Sequence, residues 1–136
     1  MAATKLTRTL LLTALLTAAS VPAGVANAAP DAAERSAFTL SVGPENGVET
    51  PRTTLLSCDP AGGTHPRADA ACASLRDAGG DFHRLSQNHA ATPCPMVLKP
   101  VVATAHGNWQ GKPVHFRQEF GNECVAAAKL GAVYDF

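Results

Sequence analysis

Four cysteines, Cys58, Cys72, Cys94 and Cys124, stand downstream of a segment with the composition of an export signal, and that combination constrains the fold more than any other feature. Lys5 and Arg8 precede an uncharged stretch rich in Leu, Ala and Thr over residues 9–21. Ala26-Asn27-Ala28 then supplies small side chains at the two positions a signal peptidase reads. The expected signal is 1–28, so the mature chain begins at Ala29; taking 28 residues from 136 leaves 108. An exported chain meets oxidising conditions, and an even cysteine count there reads as disulfides. Four cysteines allow three pairings, among which spacing alone does not choose. No CxxC pair is present, so a zinc site built on these cysteines is not expected.

A mature chain of this length fits one domain with a modest core that two crosslinks would reinforce. The apolar part of the signal is short and adjoins a processing site, and no run of about 18 apolar residues follows, so the secreted form is expected to be soluble with no membrane anchor. Removing Lys5 and Arg8 leaves nine Lys and Arg against eleven Asp and Glu, a formal charge of −2. The cations are scattered singly rather than gathered in a stripe, which argues against a nucleic-acid partner.

Residues 29–35 are Ala-rich and charged without a period and read as a flexible N-terminal arm; the domain is expected over 36–136. Phe38, Leu40 and Val42 alternate with Thr39 and Ser41, the pattern of a half-buried strand, which ends at Gly43-Pro44-Glu45-Asn46-Gly47. A β-prone run at 53–58 follows, broken by Asp59-Pro60-Ala61-Gly62-Gly63. Ala71, Cys72, Leu75 and Ala78 share one face of a helix over 67–78, stopped by Gly79-Gly80. Asp81 is placed to cap a short turn burying Phe82 and Leu85. Residues 86–99 show neither period and carry Pro93 and Pro95, with Pro100 just beyond, so an ordered loop is expected there.

Residues 101–105 form a compact β-prone run, and Val114, Phe116 and Phe120 alternate with His115, Arg117 and Glu119. His106-Gly107-Asn108 is expected to turn the chain between them, with Gly111 and Pro113 punctuating the return. A short helix over 124–129 and a last strand over 132–136 complete the reading. The fold class is α+β: an antiparallel sheet of about five strands, one main helix, one or two short ones and two disulfides.

The most informative tetrapeptide is Cys94-Pro95-Met96-Val97, which sets a crosslinkable residue, a φ-fixing proline and an unbranched apolar side chain in succession inside the loop. Proteases read extended backbone, and a segment already held extended loses less conformational entropy on docking. A bland alternative, a structural cysteine followed by core residues, fits these four residues about as well.

The wider pattern separates the two. Gly63-Thr64-His65-Pro66, Gly79-Gly80-Asp81, Cys94-Pro95-Met96-Val97, Trp109-Gln110-Gly111-Lys112 and Asn122-Glu123-Cys124 fall in order with matching spacing, and over about residues 36–136 the chain resembles the Streptomyces-type subtilisin inhibitor family. The resemblance implies a secreted, substrate-like, reversible inhibitor of subtilisin-like serine proteases, not an enzyme and without a cofactor. It implies that Cys58 pairs with Cys72 and Cys94 with Cys124. It implies that Met96 enters the primary specificity pocket of the protease and that Met96-Val97 is the reactive bond, with Pro93, Cys94, Pro95 and Leu98 as loop contacts. Pro93 departs from the larger apolar residue of the best-known family pattern. Asn122, two residues before Cys124, has an amide placed to donate to loop carbonyls near Met96 or to cap a helix. The resemblance also implies a two-fold homodimer through the sheet face turned away from the helices.

Two other readings use the same residues. A secreted binding module or crosslinking substrate would use the loop as a processing site, with Gln110 and the lysines as reacting groups. A small hydrolase would need a histidine in a catalytic set. His65, His83, His89, His106 and His115 show no three- or four-residue spacing, and no Ser, His and acid set sits in a nucleophile elbow, so neither catalysis nor a metal site is expected. Trp109, the lone Trp, is expected in the core beside the hairpin.

Overall fold

The structure, a computed structural model, describes residues 35–87 and 92–136. The expected signal and all of the expected arm except Arg35 lie outside the described residues. In β1 (Ser36–Pro44) the side chains of Phe38, Leu40 and Val42 are buried and those of Ala37 and Thr39 exposed, the alternation a strand with one wet face requires. It pairs antiparallel with β2 (Arg52–Cys58) on one side and β4 (Val101–Trp109) on the other. β4 continues into β5 (Lys112–Phe120), and β3 (Gly62–Gly63) closes the far edge, giving the order β3-β2-β1-β4-β5.

One face of the sheet carries the helices. α1 (Ala68–Asp77) buries Ala71, Cys72 and Leu75, and the Cys58–Cys72 disulfide ties it to the end of β2. The helix ends as expected: the amides of Gly79 and Gly80 donate back to Arg76 O and Leu75 O, both glycines have positive φ, and a Cβ on Gly80 would fall 2.2 Å from the Trp109 ring. α2 (Phe82–Leu85) is capped by Asp81, whose side chain accepts from the His83 amide. It delivers Phe82 onto Phe38, edge to face at 5.2 Å, and onto Phe116, stacked at 5.4 Å. Trp109 is buried and stacks on Phe38. α3 (Glu123–Leu130) and a 3₁₀ turn (Gly131–Tyr134) complete the layer. No helix among the described residues is long and apolar enough to cross a membrane.

Three local expectations are corrected. The hairpin does not turn at His106-Gly107-Asn108: those residues continue β4 and pair with Thr39, Phe38 and Ala37, and the chain reverses at Gln110-Gly111, both at positive φ, between the paired Trp109 and Lys112. Two left-handed residues in a two-residue loop match the strand twist, and Gly111 supplies one of them cheaply. Gly62-Gly63 does not merely break β2 but returns along it as β3. Residues 132–136 form no strand. Val133 and Tyr134 are consecutive and both buried, and the 3₁₀ turn packs them on α1 and α3.

Candidate functional site

The segment 92–100 has no regular structure, and all of its residues except Cys94 and Pro100 are exposed. Met96 is fully exposed, at 104% of the reference accessibility, and Val97 and Leu98 are exposed beside it, so three apolar side chains in a row face solvent. Apolar side chains exposed together mark a contact surface more than a structural need. Pro93 and Pro95 are also exposed, and Cys94 is half-buried.

The backbone of this segment is held from below at several points. Cys94 is crosslinked to Cys124 in the first turn of α3. On the far side, the Lys99 amide donates to Gly121 O at 2.9 Å. Between them, Asn122 Nδ2 donates to Pro95 O at 3.1 Å and to Val97 O at 2.9 Å. A primary amide has two N–H donors and one carbonyl acceptor, and here all three functions are used: Asn122 Oδ1 accepts from the Val125 amide at 2.9 Å, capping α3. Asn122 has extended backbone, as an N-cap does, which aims its side chain along the helix axis and toward the loop. The two local roles open to Asn122 from its position in the chain are thus held by one side chain at once.

Behind the loop lies an open cavity of about 350 Å³, whose lining includes Val42, Pro95, Val97, Asn122 and Cys124. Arg52 from β2 and Glu123 from α3 form an ion pair beside it, bracing the sheet against the helix that carries the loop anchor. Both groups are more than half exposed, so the pair is worth no more than about 1 kcal/mol. The Lys99–Gly121 bond and the Arg52–Glu123 pair are absent from the sequence reading. A backbone bond carries no residue-type signal, and residues 71 apart in the chain announce no contact.

Among the described residues the histidines do not gather into a catalytic set. His65 is buried and structural: its Nδ1 accepts from the Arg67 amide at 3.0 Å, which leaves the proton on Nε2 to donate to Val133 O at 3.1 Å. His83 is exposed on α2 against the Phe116 ring. His106 and His115 meet across β4 and β5, and His89 lies outside the described residues. Among the described residues no three His, Cys, Asp or Glu side chains converge as metal ligands.

A family model described as subtilisin inhibitor-like matches residues 32–122. The chain is 45% identical over 105 residues to subtilisin inhibitor-like protein 2 of Streptomyces rochei, covering 74% of this chain and 92% of that protein. It is 44% identical over 97 residues to a subtilase-type protease inhibitor of Streptomyces fradiae, covering 71% of this chain and 64% of that one. Among solved structures it is similar to Streptomyces caespitosus sermetstatin in complex with Bacillus licheniformis subtilisin, with a TM-score of 0.65 at 38% identity over 75% of this chain and 99% of that chain.

Proposed function

The chain belongs to the subtilisin inhibitor-like family, and from that premise we propose that it is a protein inhibitor of subtilisin-type serine endopeptidases, not an enzyme, with Met96-Val97 as its reactive bond. The observation that carries the site assignment is the treatment of Met96 itself. Its side chain is wholly exposed, while the carbonyls of the residues before and after it are both held by the amide of Asn122.

The mechanism follows from that geometry. The protease's serine attacks the Met96 carbonyl, as it would any substrate, with the Met96 side chain in the primary specificity pocket. A broad apolar pocket accepts a long, unbranched thioether without stranding a charge. If the bond is cut, the Met96 acyl group remains on the serine and the new amine belongs to Val97. Asn122 grips Pro95 on the acyl side and Val97 on the amine side, and the Cys94–Cys124 disulfide and the Lys99–Gly121 bond tether both flanks. The amine therefore stays beside the acyl carbon at high effective concentration, and religation competes with release. Pro93, Cys94, Pro95 and Leu98 supply the remaining loop contacts, with Pro93 lowering affinity at a subsite that favours larger apolar groups.

Three wider statements complete the proposal. Residues 1–28 are an export signal, 29–35 an arm and 36–136 the inhibitor domain, so the protein acts outside the cell; intact mass of the secreted form should place its start at Ala29. Two copies associate through the outer sheet face, where Leu55 is half exposed; light scattering that finds a monomer at micromolar concentration would remove this point alone. The inhibitor reading is tested by titrating purified protein against subtilisin. Activity should fall to near zero near stoichiometry with the chain still largely intact, and long exposure to a trace of enzyme should create one new N-terminus, at Val97. Rapid cleavage without inhibition would support a processing-site module instead.

A further inference from the structure

We propose that the β1–β2 connection, residues 45–51, is a second contact surface for the protease, with Val48 as its apolar anchor; the inference rests on the reactive-bond reading and extends that interface beyond the loop. Five large apolar side chains are exposed among the described residues. Met96, Val97 and Leu98 belong to the loop, and Leu55 lies half exposed on the outer sheet face. The fifth is Val48, at 82% exposure, and neither surface accounts for it.

The register of the sheet puts this connection beside the loop. Pro44 at the end of β1 pairs with Val101 at the start of β4, and Val101 pairs with Phe120 at the end of β5. The β1–β2 connection, the segment 92–100 and Asn122 therefore all lie at one end of the sheet. Glu49 and Thr50 line the cavity of about 350 Å³ together with Pro95, Val97 and Lys99, and Glu45 and Asn46 share a smaller one with Pro100. The connection is also held in shape. A Cβ on Gly43 would fall 2.6 Å from Pro51 Cα, so its two ends pack backbone to backbone. Glu45 pairs with Arg117 of β5 at 3.3 Å, and Asn46 Oδ1 accepts from the Val48 amide at 3.1 Å. Val48 is thus presented on a built turn, and docking it costs little ordering entropy.

A specific interface takes roughly 20–30 residues on each side, which the nine residues of 92–100 cannot supply. A protease seated on Met96 must spread over the end of the sheet, and the connection is the apolar-tipped surface that it meets there. The occupant is the rim of the protease cleft, apolar where it covers Val48 and free of carboxylates beside the exposed Glu49, whose like charge would repel them.

The test measures inhibition constants of the secreted protein against subtilisin for the parent, Val48→Ala, Val48→Asp and the control Leu55→Ala. Loss of two methyl groups that become buried in the complex should raise the constant about 3–15-fold, and an aspartate should raise it further. Leu55→Ala should leave it unchanged. Val48 is exposed, so its variants keep the fold, which thermal unfolding checks, and once bound they should be cut no faster than the parent. If the parent fails to inhibit, the reactive-bond reading falls and this contact with it. If the parent inhibits and both Val48 variants match it, or if they are cut faster once bound, the contact alone is overturned.

Discussion

Replacing Asn122 by Ala and, separately, by Asp divides the two jobs of this side chain. In Ala, the cap on the Val125 amide and both bonds to the loop carbonyls disappear together. Loss of the cap costs about 1 kcal/mol of stability. Each loop bond is solvent-accessible, so the lower part of the usual range applies, roughly 0.5–1 kcal/mol apiece, or about 1–2 kcal/mol for the pair. At about 1.4 kcal/mol per factor of ten, the ordered loop becomes about 5–30 times less favoured. In Asp, a carboxylate still accepts from the Val125 amide and suits the positive end of α3, so stability should remain within about 0.5 kcal/mol of the parent. That carboxylate now faces Pro95 O and Val97 O, which were 3.1 and 2.9 Å from an N–H donor, and it repels them. Thermal unfolding measures the first effect. Progress curves of subtilisin activity, with cleavage followed on reducing gels, measure the second. The expected result is that Asn122→Asp is as stable as the parent but becomes a temporary inhibitor, cut and released about 5–30 times faster, while Asn122→Ala loses both stability and persistence. If the Asp variant inhibits for as long as the parent, the grip of Asn122 on the loop has no role in resisting cleavage.

Met96→Lys should move inhibition toward trypsin, whose buried pocket carboxylate gains a charge-assisted hydrogen bond, with only partial loss against subtilisin and a fold changed by less than about 0.5 kcal/mol; unchanged profiles for both proteases would reject the reactive-site assignment. Replacing Cys94 and Cys124 by Ser should leave the core melting cooperatively but shorten inhibition. Replacing Cys58 and Cys72, 14 residues apart, should lower stability by about 3 kcal/mol in urea unfolding without shortening inhibition, while the Cys94 and Cys124 replacement, which opens a loop between residues 30 apart, should lower it by at least as much. Burial pushes the Tyr134 phenol well above the ordinary tyrosine range, and its hydroxyl donates to Thr104 O. Because the folded value is the raised one, its contribution is complete below about pH 10 and is lost above it, at up to about 1.4 kcal/mol per pH unit. Absorbance at 295 nm should therefore show the single tyrosine ionising only as the alkaline protein unfolds; ionisation near pH 10 with the fold intact would contradict its burial.

Much of the architecture was legible because it depends on local chemistry. Alternation in Phe38, Leu40 and Val42 marked β1, the spacing of Ala71, Cys72 and Leu75 marked α1, and Gly79-Gly80 marked where it stops. The two prolines and the lack of any period marked the loop, and the ordered motifs from Gly63 to Cys124 marked the family. The tertiary structure decided what depends on partners far along the chain. Which residues turn a hairpin is settled by the register that buries the most side chains, and that register carried β4 through Asn108 to Trp109, past the residues best suited to turning. Whether Val133 and Tyr134 sit in a strand or a 3₁₀ turn depends on which surface is left to cover, and the helices left one that needs both side chains at once. Asn122 reaching Pro95 and Val97, Lys99 meeting Gly121 and His106 facing His115 are contacts between segments brought together only by the fold. Residue type states what each group can donate or accept, and only three-dimensional placement states to whom.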